Sequence, residues 1–171
     1  MLDEVQYRAA VAAEVGTLRR RLHLLGVHDG ELPDALDEVV RALLANRSAF
    51  TGGITFSAFC FGVAARMVGK RRRRRGTRAS AKPQALTEAI AQTRSGGPSM
   101  DDTVEAALDV LPFRLRVVLV AVEMQQMSLN EVACALGLPD NHGPQLEARL
   151  ERARLMFASA LQQLEHGRTH P

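Results

Sequence analysis

Tryptophan is missing from this chain of 171 residues, tyrosine occurs once, and aromatic residues make up only 4% of it. Sheets draw on aromatic and β-branched side chains, so this scarcity argues against a β-rich fold. Cysteine is nearly as rare. Cys60 and Cys134, the two copies, stand in apolar surroundings 74 positions apart. That pattern fits buried free thiols in a reducing compartment better than a structural disulfide. Acidic residues are absent from 66 to 82, a window that holds nine Lys and Arg. A long apolar run is lacking too. Ser48–Ala65 is 18 residues without a charge, but it carries Ser48, Thr51, Gly52, Gly53, Thr55 and Ser57. Its dense apolar part, from Phe56 to Arg66, is roughly half of what a bilayer requires, so no membrane insertion is expected. Asp3 and Glu4 replace the basic start that a signal peptide would need.

What remains is helix material. Ala, Leu, Arg and Glu dominate, and apolar residues reach 46%, enough for real cores. The expectation is an all-α chain of two small helical domains, residues 1–80 and 100–171, joined by a flexible linker over 81–99. Charge divides in the same way. Residues 1–99 hold 16 Lys and Arg against 9 Asp and Glu, whereas residues 100–171 hold 6 against 10. A modest net charge of +3 therefore conceals a basic patch able to attract a polyanion.

In the first half, Val5, Ala9, Ala12, Val15, Leu18, Leu22 and Leu25 recur at helical steps and predict a helix from Asp3 to Leu25. Arg19, Arg20 and Arg21 fall in its last turns, where the helix dipole favours cations, and Gly26 stops it. Pro33 suits the first turn of a second helix, to about Ala45. Asp34, Asp37 and Glu38 charge the start of that helix, and Leu36, Val39, Val40, Leu43 and Leu44 form its stripe. Phe50–Thr55 reads as a loop. A third helix begins at Phe56, buries Phe59, Cys60, Val63, Ala64 and Met67, and runs into Lys70 and Arg71–Arg75. From 76 to 100, Gly and Pro punctuate a stretch with few large apolar groups and room for one short helix around Leu86 and Ile90.

The second half opens near Met100 with a short helix on Val104, Ala107, Leu108 and Leu111. Pro112 starts the next, which carries Leu115, Val118, Leu119, Ala121 and Val122. Ser128 and Glu131 have the spacing of a capping box, with Leu129, Val132, Ala133 and Leu136 following and Gly137 ending the helix. After a Pro139–Pro144 loop, a last helix carries Leu146, Leu150, Ala153, Phe157, Ala160, Leu161 and Leu164, and frays from His166. A short capped helix, a glycine turn and a longer helix form the plan of a helix-turn-helix, with small Ala133 where the two helices approach. Many helical hairpins share that spacing.

Six consecutive like charges at 70–75 repel one another along a helix, which favours a nucleic-acid counter-charge over mere solvation. Phe50 and Phe56 are candidates to stack on bases, with core packing as the competing role. Arg149, Arg152 and Arg154 could reach DNA, or form a soluble surface in which Glu151 pairs with Arg154. Arg114 and Arg116, near a helix start, could touch the DNA backbone. The histidines, His23, His28, His142, His166 and His170, form no ligand spacing. No phosphate loop or nucleophile-base set is evident, so neither a metal, a cofactor nor an enzymatic activity is expected.

The chain resembles an RNA polymerase sigma factor of the compact two-domain group that often serves extracytoplasmic signals. The resemblance rests on Leu111-Pro112, Arg116, Ser128-Leu129-Asn130-Glu131-Val132-Ala133, Leu136-Gly137-Leu138-Pro139 and Arg149-Leu150-Glu151-Arg152-Ala153-Arg154. In the first half it rests on Asp34-Ala35-Leu36-Asp37, Phe59-Cys60, Val63-Ala64 and the Arg71–Arg75 run. It implies a transcription initiation factor, cytoplasmic and nucleoid-associated, that binds core RNA polymerase and directs it to promoter DNA. An anti-sigma protein is a further partner it leaves room for. Asp34, Asp37 and Arg41 would meet the polymerase. Arg66, Lys70, Arg71, Arg72, Arg73, Arg74 and Arg75, with Gln145, Arg149 and Arg152 on the last helix, would meet DNA. The family pattern is broken where Val40 replaces Gln, Phe59 replaces Trp, Arg66 replaces Asn, Gly69 replaces Asp and Glu147 replaces Lys. Glu147 removes a phosphate contact and adds repulsion. A sigma-derived regulator, or a helical protein-interaction module that no longer initiates, is the competing reading.

Overall fold

A computed structural model describes residues 2–76, 100–139 and 142–169, and it is helical, with no strand among the described residues. The expected linker, 81–99, lies outside them, as do Arg78, Lys82 and the short helix around Leu86 and Ile90. No described helix is long and apolar enough to cross a membrane.

Helix α1 spans Glu4–Leu24. It opens on a capping box: the Asp3 carboxylate accepts from the Gln6 backbone N–H at 2.7 Å, and the Asp3 N–H donates to the Gln6 side chain at 3.1 Å. Its buried stripe is Tyr7, Val11, Leu18, Arg21 and Leu22, continued by Leu25. The expected stripe was rotated at its start. Val5 is 77% exposed, and Ala9 and Ala12 face solvent. Tyr7 took the core position because its hydroxyl can donate to the Leu43 carbonyl at 2.9 Å, which leaves no orphan polar group.

Helix α2 spans Leu32–Ala45, with Pro33 in the first turn and Leu32, Ala35, Val39 and Leu43 buried. Helix α3 spans Phe56–Gly76. Ala58–Ala65 is buried on every side of the helix, as are Val68 and Gly69, because α3 is central: α1 and α2 pack on one side and the second half on the other. Phe50 and Phe56 pack edge-to-face at 5.2 Å, and each also contacts Phe59, so both belong to an aromatic cluster with Tyr7.

The second half comprises α4 (Met100–Val110), α5 (Phe113–Leu119), α6 (Leu129–Leu136) and α7 (Gly143–Thr169). The segment expected to be helical through Val122 is so, but after α5 it widens into a π turn over Val120–Met124. The Ser128–Glu131 capping box forms as its spacing predicts, and Gly137 ends α6 in the left-handed conformation with φ +67°. Helix α7 buries Leu146, Leu150, Ala153, Ala160 and Leu164, and continues past His166 to Thr169. One hydrophobic cluster runs from Tyr7 and Leu18 through Phe61 and Val68 to Leu108, Val118, Val132 and Leu150, so the two halves share a core.

Candidate nucleic-acid interface

The contact between the halves begins with two glycines of α3. A Cβ on Gly62 would overlap the Ala135 carbonyl, and one on Gly69 would stand 3.1 Å from the Phe113 ring. Only hydrogen at these positions lets α6 and the start of α5 lie against α3. This close approach, of α6 on α3, falls at Ala135. Beside it, Arg66 donates to the Ala135 carbonyl. Six residues further on, the Arg72 guanidinium lies 5.2 Å from the centre of the Phe113 ring.

Two further arginines close the seam from within. Arg21 is 5% exposed and bonds Glu14 at 3.1 Å, the Ser57 carbonyl at 3.0 Å, the Ser57 hydroxyl at 2.6 Å and Gln125 at 2.7 Å. Burial lowers its pKa, and Glu14 opposes that shift. It stands in the last turn of α1, as expected, and there it is a buried hub between α1, α3 and the end of the π turn. Arg116 is 1% exposed and bonds Asp109 and the Leu24 and His23 carbonyls. It is therefore not available to a DNA backbone. Gly26, at φ +86°, makes room for it, since a Cβ there would stand 3.0 Å from the Arg116 guanidinium. His23 adds a contact to Glu105 at 2.8 Å.

The basic end of α3 is partly neutralised from within the chain. Arg71 pairs with Glu38 at 3.0 Å, and Arg75 pairs with Glu31. Lys70, Arg72, Arg73 and Arg74 keep exposed surface. Burial lowers the pKa of Arg66 and, with the nearby Arg116 charge, that of Arg72. On α7, Gln145, Arg149 and Arg152 share a face. Gln145 and Arg152 are exposed, whereas Arg149 is half-buried. Arg154 points elsewhere and pairs with Glu123 at 2.6 Å and Glu151 at 2.7 Å. On α2, Asp34, Asp37 and Arg41 are exposed, with Arg41 donating to the Asp37 carbonyl at 3.3 Å.

Between the end of α3 and the second half lies an open groove of about 640 Å³. Its apolar floor includes Phe113, Val117, Leu136 and Leu138, and its rim carries Arg66, Arg72, Arg73, Arg114 and Arg149 with no acidic residue. The groove brings together four of the residues expected to meet DNA, from both halves. Arg114, a candidate for the DNA backbone, joins them, whereas Phe113 was not foreseen, because its place in the groove depends on packing that no local spacing encodes. Cys60 is buried, as expected, but Cys134 is exposed. No group of three or more His, Cys, Asp or Glu side chains that could hold a metal converges among the described residues.

No protein-family model and no curated protein sequence matches the chain. Among solved structures, the chain is similar to the sigma factor RpoE in its complex with the anti-sigma factor NepR from Bartonella quintana. Identity is 15%, the TM-score is 0.70, and the match covers 91% of this chain and 96% of that one. The class that this defines is one of architecture: an all-helical, sigma-factor-like fold that extends over nearly the whole chain.

Proposed function

We propose that the chain is a sigma-derived transcription regulator, a helical module that engages core RNA polymerase and DNA but does not itself start transcription. The observation that carries this reading is the seating of the second half on α3, through Ala135 against Gly62 and Arg66. By the resemblance in sequence, α3 is the segment that meets promoter DNA, and here part of its surface is occupied by the chain's own α6. Glu147 in place of Lys, and Val40 in place of Gln, support the same reading.

In this scheme the exposed face of α2, with Asp34, Asp37 and Arg41, meets the polymerase. Lys70 and Arg71–Arg75 face the DNA backbone, together with Arg66 and the Gln145, Arg149 and Arg152 face of α7. The helix-turn-helix is α6, the turn at Gly137 and α7. The domains are 1–80 and 100–171, the place of action is the cytoplasm at the nucleoid, and a protein of the anti-sigma kind is a third partner. A second reading, an initiation factor proper, is favoured by the exposure of Lys70 and Arg72 at the end of α3.

The test mixes the purified chain with core polymerase, then probes promoter DNA with permanganate, which reports unpaired thymines. The proposed function predicts co-elution with polymerase and no promoter melting. Melting with transcript formation would establish the second reading instead. Absence of co-elution would overturn both.

A further inference from the structure

The groove at the seam has a chemistry of its own. Its five guanidinium groups converge on one concave surface without a carboxylate among the lining residues. Convergent like charges raise each other's energy, and desolvation at Arg66 and Arg72 raises the cost further. Some of that cost is met inside the chain: Arg66 uses a carbonyl, and Arg72 uses the Phe113 ring. Arg114 and Arg149 make no such contact with any described residue. No anion among the described lining residues answers Arg114 and Arg149, and a multiply charged one would answer several arginines at once. Guanidinium forks match phosphate oxygens two at a time, which selects phosphate over a single carboxylate.

The floor adds a second requirement. Phe113, Val117, Leu136 and Leu138 offer an apolar surface that inorganic phosphate would leave dry and unused. The wall already stacks a planar cation on an aromatic ring, as Arg72 does over Phe113 at 5.2 Å. A planar, weakly polar body fits beside such a pair. The volume, about 640 Å³, is that of a small-molecule site, and such sites favour seams between packed units.

We propose that this groove binds a nucleoside polyphosphate, with the phosphates on Arg66, Arg72, Arg114 and Arg149 and the base against Phe113 and Leu138. Because the lining comes from both halves, the ligand binds only their closed arrangement and stabilises it by mass action. It therefore competes with any DNA that would use Arg66, Arg72 and Arg149.

Calorimetric titration of the full chain with ATP, with inorganic pyrophosphate and with a short oligothymidylate provides the test. ATP is expected to bind at one site and more tightly than pyrophosphate, and to be displaced by the oligonucleotide. Arg114→Ala, an exposed residue outside the proposed DNA and polymerase contacts, should weaken ATP by about tenfold, the loss of one charge-assisted phosphate contact. Leu138→Asp, with its helical content verified by circular dichroism, should weaken ATP more than pyrophosphate. Equal binding of ATP and pyrophosphate, unchanged affinity in Arg114→Ala, or binding of the oligonucleotide alone would each overturn the proposal. Co-elution with polymerase is read separately, so a failure here leaves the proposed function standing.

Discussion

The buried Arg116 donates through Nε to the Leu24 carbonyl at 2.5 Å, across 92 positions of sequence. Its Nη1 meets Asp109, and its Nη2 reaches the His23 carbonyl at 3.4 Å. A guanidinium withdrawn from water is tolerated only when its donors are used, and these acceptors come from the end of α1 and from α4. The pairing therefore ties the second half to the first at a point where neither half alone supplies all the partners.

Removing that guanidinium should loosen the seam. Arg116→Ala is expected to destabilise the protein by about 2–4 kcal/mol, because it strands two carbonyls and leaves a void. Arg116→Lys should recover only part, since an ammonium cannot present the same fork. Urea denaturation measures both. An alanine variant as stable as the parent would show that the pairing contributes nothing.

The two glycines Gly62 and Gly16 should respond oppositely to the same change. Gly62→Ala pushes a methyl into the Ala135 carbonyl and should cost about 1–3 kcal/mol. Gly16 lies in the interior of α1 with nothing within 4 Å, so Gly16→Ala should stabilise by about 0.5–1 kcal/mol. Thermal melts of the pair decide it. Equal shifts of the same sign would contradict the close packing of α6 on α3.

The cysteines should differ in reactivity. Cys134 is exposed and should alkylate in the folded protein, whereas burial pushes the Cys60 thiol up to about 12 and keeps it neutral and shielded. The unfolded thiol ionises near 9.0, so the unfolded state loses its proton first as pH rises. Stability from this group is complete below that pH and falls between about 9 and 12. Mass spectrometry after iodoacetamide treatment should find one label in the native chain and two in urea.

The cap of α6 should be sensitive to acid. The Ser128 backbone N–H donates to the Glu131 carboxylate at 3.0 Å and lowers its pKa below 4.5. A depressed carboxylate stabilises the fold above its unfolded pKa, and that contribution is lost as pH falls through the folded value. Ser128→Ala should cost about 1 kcal/mol at neutral pH, and Glu131→Gln, which has no carboxylate to titrate, should flatten this acid limb in pH-dependent melts. An unchanged acid limb would remove the capping box from the account.

The cationic face of α3 has its own test. Lys70→Glu with Arg72→Glu spares the Arg71–Glu38 and Arg75–Glu31 pairs, so helical content should persist. Retention of duplex DNA at low salt should be lost, and the parent's affinity should fall steeply with salt, by about 0.9 in log–log slope per neutralised phosphate. DNA retention that is indifferent to both the substitutions and the salt would exclude this face.

Helices with local signals were legible in the sequence. The stripe of α7, the Ser128 cap and the Gly137 stop lie within a few residues of the atoms that they organise, and all three formed as their spacing predicts. The start of α1 was not legible in the same way. Val5, Ala9 and Ala12 also fit a helical period, and the choice between that stripe and the one through Tyr7 was made by the Leu43 carbonyl on another helix.

What the sequence determined by itself is the helical character of the described chain and the placing of its charge, because propensity, periodicity and capping act over one or two turns. The tertiary structure alone decided which arginines are buried, which glycines are contacts, and which cations face one another across a groove. Arg21 follows two arginines in sequence, whereas Arg66 and Arg116 stand among apolar residues, and neither setting specifies a partner. Their environments are set by Gln125, Ala135 and Leu24, whose positions follow only from the packing of one half on the other.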